Sequence, residues 1–348
     1  MADTDAARFD LAVLTDLLRA AREGSTEVLG ALVERPLLVV DLDSPGELDG
    51  VDVPAMLPGI IVGVSRTAGV ECPVEGVDVA LTAGPDPGTP WVSAADLDAG
   101  LEQLVSAVRP SPMASVALVQ VLRSSRPDSL EHDLLLESLA YSTLQGAPEF
   151  RRWLDGRPPV AHRPEPGSSV IVERAGDQLS ITLNRPRVRN AYDAVMRDAL
   201  CEALWMVGAD PSLAEVNLKG TGADFCSGGD LSEFGTAADP AASHLIRTSR
   251  SAARLLGAVG DRVTAHLHGA CIGAGIELAA AAGRVIADPD TRIQLPEVAM
   301  GLIPGAGGTA TLPRRIGRHR TAWLALTGQP IDAGTALAWN LVDEINRS

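Results

Sequence analysis

Short apolar runs rich in β-branched residues alternate with segments of helical periodicity along this chain, and that alternation restricts the folds open to it. The runs are bounded by turn residues, which predicts buried strands. In the first half they are "PLLVVDLD" (36–43), "GIIVGVS" (59–65) and "VDVALTAG" (77–84). The helical patterns there lie at 10–33, 94–108, 112–124 and 130–154. Strands that alternate with helices predict an α/β fold, with a mostly parallel sheet and helices packed on it.

A proline-rich segment, "PPVAHRPEPGSS" (158–169), divides the chain. It has no apolar periodicity, so it predicts an N-terminal domain at 1–157, a linker at 158–168 and a C-terminal domain at 169–348. The C-terminal domain begins with a predicted β-hairpin that turns at Gly176. Its further strands are predicted at 214–220, 262–269 and 284–289, and its helices at about 191–207, at 243–258 and from Gly275 onward.

The composition excludes several classes of protein. Apolar residues make up 46% of the 348 residues, which is enough for a large core and too many for a disordered chain. The net charge of -16 argues against a nucleic-acid or anionic-membrane partner, although it leaves an anionic small ligand open. No apolar run reaches transmembrane length, and the acidic start lacks the apolar stretch of a secretory signal. We therefore expect a cytoplasmic protein without a membrane partner.

The cysteines and histidines form no metal-binding pattern. The four cysteines are widely spaced, with no CxxC pair, and the six histidines form no HExxH motif. The cysteines are Cys72, Cys201, Cys226 and Cys271. We therefore expect neither a metal site nor a disulfide framework.

Two glutamates stand beside glycine-rich turns in apolar surroundings. Glu277 lies in "GACIGAGIELAAAAG", and Glu297 lies in "QLPEVAMGLIPGAGGTATLPRRIG". A single acid of this kind is more often a helix cap or an ion-pair partner. Two acids in this setting favour a shared function, because burial raises the pKa of a carboxyl and suits it to general acid–base chemistry.

The glycine turns themselves offer free backbone N–H groups. In "HGACIGAGIELA" the turn runs into a helix that begins close to Ala274, and "FCSGGDL" places Gly229 in a loop after a strand. Two such loops could direct two donors at one carbonyl oxygen and form an oxyanion hole. The same glycines could equally serve tight packing of helix against strand. "PGAGGTA" also fits a loose dinucleotide fingerprint, but it follows Ile303–Pro304 rather than a clear strand, which disfavours that reading.

Four motifs resemble those of the crotonase superfamily, the enoyl-CoA hydratase/isomerase proteins. They are "ITLNRPRVRNAYDAVMRDAL", "CSGGDLSEF", "GACIGAGIELA" and "LPEVAMGLIPGAGGTATLPRRIG", in that order. The resemblance runs from about Ser169 to the end of the sequence. It implies a crotonase-like (ββα) superhelix for this half, an acyl-CoA substrate and a homo-oligomer, a trimer or hexamer. It also implies no metal and no cofactor apart from the coenzyme A that the substrate carries.

The resemblance also implies roles for particular residues. The N–H groups of Gly229 and Ala274 would form the oxyanion hole for the thioester carbonyl. Glu297 would exchange the proton at the α-carbon, and Glu277 would activate the water that adds at the β-carbon. The coenzyme A channel would be lined by Asp230, Leu231 and Ser232. Basic residues stand where the family approaches the coenzyme A phosphates, although plain surface charge explains each equally well: Arg185, Arg187 and Arg189.

The N-terminal half resembles the family less directly. Relatives usually continue with further helices beyond the point that "TGQPIDAGTALAWNLVDEI" reaches, and helices within 111–159 are expected to take their place. The side chains expected to pack on the catalytic half are Leu134, Leu135, Leu139, Tyr141, Leu144, Phe150 and Trp153. The strands before these helices would then form a degenerate crotonase-like unit, with "ALTAGPDPGTP" in place of "LKGTGADFCSGGD".

The resemblance favours an enoyl-CoA hydratase or dehydratase, a lyase, because both glutamates are present. Other reactions on the same fold stay open, namely double-bond isomerisation, thioester hydrolysis and cofactor-free oxygenation. A non-catalytic subunit that binds acyl-CoA or a partner crotonase is a further alternative.

Overall fold

The computed structural model describes residues 7–25, 27, 32–33, 35–44, 53–67, 76–85, 87–161, 166–237 and 239–346. Cys72 and part of the predicted linker, 162–165, lie outside these residues, as does part of the helix predicted at 10–33. The elements of the N-terminal half are β1 (Ala7–Asp10), α1 (Leu11–Arg22), β2 (Leu37–Asp41), β3 (Ile60–Ser65), β4 (Val79–Ala83), β5 (Trp91–Ala94), α2 (Leu97–Val108), α3 (Pro112–Arg123), α4 (Leu130–Gln145) and α5 (Pro148–Gly156).

The first sheet is fully parallel, and its five strands follow chain order from β1 to β5. The three strands predicted from apolar runs are confirmed as β2, β3 and β4. Successive side chains of a strand point to opposite faces, and helices cover both faces of this sheet. Leu38 packs with Leu14 of α1, whereas Val39 joins the core on the other face. Burial on both faces explains why these strands read as continuous apolar runs.

The C-terminal half repeats this sequential arrangement in a larger sheet. Its elements are β6 (Val170–Ala175), β7 (Gln178–Leu183), α6 (Ala194–Ala209), β8 (Glu215–Gly220), α7 (Pro240–Ser249), α8 (Ala252–Val259), β9 (Val263–Leu267), β10 (Ala270–Ile272), α9 (Ala274–Ala279), β11 (Arg284–Ala287), β12 (Arg292–Gln294), α10 (Gly308–Thr327), β13 (Ile331–Asp332), α11 (Ala333–Ala338) and β14 (Glu344–Ile345). Short 3-10 turns lie at Pro186–Val188, Gly260–Arg262 and Glu297–Met300.

The six-stranded sheet has the order β14-β11-β9-β8-β7-β6, and β10, β12 and β13 form a small second sheet. The predicted hairpin is confirmed, since β6 and β7 pair antiparallel and Gly176 takes a φ of 66° at the turn. β8, β9 and β11 then add in parallel, one after another. α10 packs against α9 and against the 3-10 turn at Glu297–Met300, beside the glycine turns. This is the superhelical α/β arrangement expected for this half.

Two predicted helices are each divided in two. The pattern at 130–154 is interrupted after Gln145 because Pro148 starts a new helix, α5. The pattern at 243–258 breaks at Ser251, whose hydroxyl accepts a hydrogen bond from the Arg254 N–H and caps α8. Among the described helices none alone is long and apolar enough to cross a membrane, and α2 and α3 meet that test only as a pair bent by 108°.

Helices of the N-terminal half pack directly on α10 of the C-terminal half. Leu118 of α3 and Leu324 of α10 belong to one continuous core. At the edge of this contact Arg314 forms an ion pair with Asp133 at 2.8 Å, and the buried Arg320 donates to the Trp91 carbonyl at 2.9 Å. The two halves therefore share a hydrophobic core as well as buried polar contacts.

The side chains expected at this contact are mostly confirmed. Leu144 and Phe150 are buried, and three are partly buried against the shared core: Leu134, Tyr141 and Trp153. The expectation is wrong for Leu135 and Leu139, which are 47% and 48% exposed. Polar residues of α4 occupy the buried face in their place.

Candidate active site

The four residues predicted to carry the chemistry lie around one cavity. It has a volume of about 500 Å³, and its walls include Gly229, Ala274, Glu277 and Glu297. The sequence separates these residues into three segments, and the sheet brings the segments together at the end where the glycine turns lie. A face of α4, from the N-terminal half, closes the opposite wall.

The two backbone donors are available, as the oxyanion-hole prediction requires. Neither the Gly229 N–H nor the Ala274 N–H donates to another residue within the described part of the chain. Gly228 takes a φ of 95° and Gly273 a φ of 48°, conformations that favour glycine. These turns leave both amides unpaired at the cavity wall, where a carbonyl oxygen could accept from them.

Glu277 is held by the start of α10. Its Oε2 accepts hydrogen bonds from the N–H groups of Ala306 at 2.7 Å and Gly308 at 2.8 Å. A Cβ on Gly308 would lie only 2.7 Å from Glu277 Cγ, so the glycine is needed for this approach. Burial raises the pKa of Glu277 to about 7, against the opposing effect of the amide hydrogen bonds.

Glu297 has a different environment. It starts a 3-10 turn after Pro296, and its buried Oε2 finds no hydrogen-bond partner among the described residues. Burial, reinforced by the charge of Glu277, holds the pKa of Glu297 well above its usual range. The protonated form is therefore favoured at Glu297, whereas two amide donors favour the ionised form of Glu277.

A third buried carboxylate, Glu137, enters the cavity from α4 and was missed by the sequence analysis. Its Oε1 accepts from the Gly307 N–H at 2.8 Å, and its Oε2 accepts from the N–H and hydroxyl of Thr309 at 2.8 and 2.7 Å. Burial, together with the charge of Glu277, raises the pKa of Glu137 to about 8. The sequence does contain a signal for this residue. Glu137 lies at helical spacing from Leu134 and Tyr141, and all three residues line the cavity.

Tyr141 forms the neighbouring part of this wall. Its ring lies against the backbone of Gly305, where any side chain would overlap it. The Arg247 guanidinium stacks over the ring at 4.5 Å from its centroid. The Ser138 hydroxyl connects α4 to α7 through His244 Nδ1 at 2.9 Å. Side chains of α4 and α7 thus shape the cavity beyond the two predicted glutamates.

Comparison with known proteins agrees with the family resemblance of these motifs. A sequence model described as Enoyl-CoA hydratase/isomerase matches residues 175–347. The 2,3-dehydroadipyl-CoA hydratase of Escherichia coli K12 is 34% identical over 178 residues, which cover 51% of this chain and 69% of that protein. The chain belongs to the enoyl-CoA hydratase/isomerase family.

Two further relatives of the family are similar over the same half. The mevalonyl-coenzyme A hydratase SIDH of Beauveria bassiana is 36% identical over 48% of this chain and 62% of its own length. The crystal structure of an enoyl-CoA hydratase from Thermoplasma volcanium shows 33% identity, covers 52% of this chain and 73% of its own, and has a TM-score of 0.48.

Three residues expected at the family's coenzyme A channel lie outside the cavity wall. Asp230 is buried and pairs with Arg185 at 2.9 Å, and its carboxylate also accepts from Ser232. Leu231 is exposed, and it does not line the cavity. Contact of this segment with coenzyme A stays a prediction.

The three arginines considered for the coenzyme A phosphates differ in position. Arg185 is 1% exposed and bridges Asp193 and Asp230, so its suggested approach to the phosphates is wrong. The positive charge of its guanidinium is balanced inside the protein by these two buried carboxylates. Arg189 is exposed and pairs with Asp224 at 2.6 Å, and Arg187 is also exposed.

The thiols and metal-binding side chains add no further site within the described ranges. Cys201, Cys226 and Cys271 are free and buried, and burial raises the pKa of each thiol. Among the residues that the structure describes, no group of three or more His, Cys, Asp or Glu side chains is placed to hold a metal ion.

Proposed function

We propose that this protein adds water across the α,β-double bond of an acyl-CoA thioester, or removes it in the reverse reaction. The observation that carries the proposal is the pair Glu277 and Glu297, two buried carboxylates in one cavity with different surroundings. Hydration needs one base and one acid in the same dry site, and carboxyls with opposed environments suit these two roles.

In the proposed reaction the thioester oxygen accepts from the Gly229 and Ala274 amides. Addition of water passes through an enolate-like state with negative charge on that oxygen. Fixed amide donors stabilise this charge more in the transition state than in the ground state, and one such donor typically contributes about 3 kcal/mol.

The glutamates then divide the proton transfers. Glu277, ionised with the help of two amides, takes a proton from water as the oxygen bonds to the β-carbon. Glu297, protonated because its carboxyl is buried and its Oε2 has no hydrogen-bond partner among the described residues, donates its proton to the α-carbon. The reverse reaction exchanges these roles. Since the chemistry is proton transfer and water addition, it needs no cofactor beyond the coenzyme A of the substrate.

The remaining features of the proposal concern binding and assembly. The exposed Arg187 is proposed to approach the coenzyme A phosphates, and Asp230, Leu231 and Ser232 to lie along the channel. The acyl group would lie against α4 and α7, beside Tyr141. We also propose a homo-oligomer, a trimer or hexamer, which light scattering on the purified protein would test.

Mass spectrometry of a panel of enoyl-CoA thioesters tests the reaction. The panel should include 2,3-dehydroadipyl-CoA, because a relative with 34% identity is a hydratase of that compound. We expect at least one substrate to gain the mass of one water, and the Glu277→Gln/Glu297→Gln double variant to abolish the gain. A changed double-bond position without a mass change would indicate isomerisation, and release of free coenzyme A would indicate hydrolysis. Either result would replace the proposed reaction.

A further inference from the structure

Glu137 and Glu277 bind alternate amides at the start of the same helix. Glu277 accepts from the N–H groups of Ala306 and Gly308, and Glu137 accepts from those of Gly307 and Thr309. Four consecutive donors are thus divided between two carboxylates, one from each half of the chain. The helix that follows, α10, begins at Gly308 and is kinked at Gly317, where φ is 75° and ψ is 160°; the free N–H groups of its first turn favour negative charge.

This sharing ties the two carboxylates together mechanically. The turn cannot move without stretching hydrogen bonds to both acids. The amides that donate to Glu277, at 306 and 308, alternate along the turn with those that donate to Glu137, at 307 and 309. Glycine at 307 adopts a φ of 117°, and its close contact with Ala253 leaves no space for a side chain. The position of the Glu277 carboxylate therefore depends on a side chain that the N-terminal half supplies.

The sharing also ties them electrostatically. Both carboxyls are buried, and like charges held close together in a site of low dielectric resist simultaneous ionisation. The charged or titratable groups that face Glu137 from the surrounding elements are Tyr141 on α4, Arg247 on α7, Glu277 on α9 and Glu297 on its 3-10 turn. Only Arg247 among these is cationic, and it lies over Tyr141, with no carboxylate in ion-pair contact within the described residues.

We propose that Glu137 is a positioning residue of this active site, contributed by the N-terminal half, which orients the Glu277 carboxylate through the shared turn and titrates in concert with it. The proposal rests on the proposed function only for its kinetic consequences. Its structural part, the coupling of two carboxyls, can be tested without any substrate.

The chain offers a matched control for this proposal. Glu149 of α5 is also buried, and it accepts from two consecutive backbone amides, those of Met113 and Ala114, at the start of α3. It does not line the cavity. A variant at Glu149 therefore reproduces the loss of a buried helix cap without changing the site.

Direct titration of the carboxyl groups provides the first test. Protein labelled with 13C at the glutamate side-chain carboxyl is titrated by NMR, and the resonance missing from Glu137→Gln is assigned to Glu137. The pKa of Glu137, about 8, lies above that of Glu277, about 7, so Glu277 is already charged when Glu137 ionises. In Glu277→Gln we therefore expect the Glu137 midpoint to move down, because a neighbouring negative charge is removed. Glu149→Gln should leave it in place. A folded Glu277→Gln protein with an unchanged Glu137 midpoint would overturn the proposal.

A second variant decides the matter if Glu277→Gln fails to fold. Thr309→Val removes the hydroxyl that donates to Glu137 at 2.7 Å and keeps the shape of the side chain. Loss of this donor favours protonation of Glu137, so the Glu137 midpoint should move up. An unchanged Glu137 midpoint in this variant would refute the placement of Glu137 against the shared turn.

Kinetics provide the test of positioning. With an enoyl-CoA that the wild type hydrates, Glu137→Gln should lower kcat by at least about tenfold and change KM less. An equal loss of kcat in Glu149→Gln would leave Glu137 as a helix cap without a positioning role and overturn the proposal. If the wild type hydrates none of the panel, the proposed function fails, while the NMR titration still decides the coupling.

Discussion

Glu297 and Gly273 approach so closely that any side chain on residue 273 would overlap the Glu297 carboxylate. Gly273 immediately precedes Ala274, the proposed second donor of the oxyanion hole, and its φ of 48° turns that amide toward the cavity. A single glycine thus permits two features at once. The acid that would protonate the α-carbon lies next to the donor that would bind the carbonyl of the same substrate.

Removing the acid or the base should therefore stop the proposed reaction without unfolding the protein. Glu297→Gln and Glu277→Gln should each lower kcat/KM for hydration by roughly 100-fold or more, since general acid–base groups contribute about that much. Each variant keeps a side chain of the same shape, so the melting temperature provides the check on folding. Near wild-type rates in both single variants would show that the hydratase mechanism is wrong.

The oxyanion hole predicts a difference between two substitutions at one position. Ala274→Pro removes the N–H, which has no partner among the described residues, whereas Ala274→Gly retains it. The proline variant should lose activity by at least about 100-fold and the glycine variant much less. Proline is tolerated in the first turn of a helix, and circular dichroism should show an unchanged fold. Equal activity of the two variants would mean that the Ala274 donor is not used.

The sequence pointed to the proposed catalytic pair because its signals are local. Glu277 and Glu297 each stand beside a glycine turn, and the alternation of strands and helices places such turns at one end of a parallel sheet. The roles that distinguish the acids depend on hydrogen bonds to residues distant in sequence. That Glu277 has amide partners, while Glu297 Oε2 has none in the part of the chain that the structure describes, could not be derived from either motif.

Glu137 was missed because the buried face of α4 is largely polar. Helical periodicity identifies a buried face by its apolar residues, and in this helix the apolar Leu135 and Leu139 are exposed while Glu137 and Ser138 are buried. Those polar groups are buried only because the start of α10 and the side chains of α7 supply hydrogen-bond partners. These hydrogen-bond partners come from the other half of the chain, so the residue pattern of one helix does not reveal them.

The raised pKa values predict how stability depends on pH. Folding raises the pKa of Glu137 from 4.5 to about 8 and that of Glu277 to about 7, so the folded state binds protons more tightly than the unfolded state. This contribution to stability is complete below the unfolded pKa and is lost as the pH rises through the folded values. The free energy of unfolding, measured in urea, should therefore decrease between about pH 5 and pH 8. In Glu137→Gln this decrease should be smaller. Parallel curves for the variant and the wild type would contradict the raised pKa of Glu137.

The final prediction concerns the dependence of the C-terminal half on the N-terminal half. A fragment of residues 165–348 would lose the helices that pack on α10, and would expose apolar surface around Leu324 that burial stabilises at about 25 cal/mol per Å². It would also lose Glu137, which holds the turn beside Glu277. We expect the fragment to be insoluble or inactive when expressed alone.

Co-expression with residues 1–164 is the decisive arm of this experiment. Because Arg314 and Arg320 find polar partners in the N-terminal half, the separate pieces should associate through both the apolar contact and these buried bonds. Rescue of soluble, active protein by 1–164, and loss of that rescue when the added piece carries Glu137→Gln and remains bound, would show that the two halves form one catalytic unit. A fragment 165–348 that is soluble, cooperatively folded and fully active alone would make the N-terminal half an independent appendage.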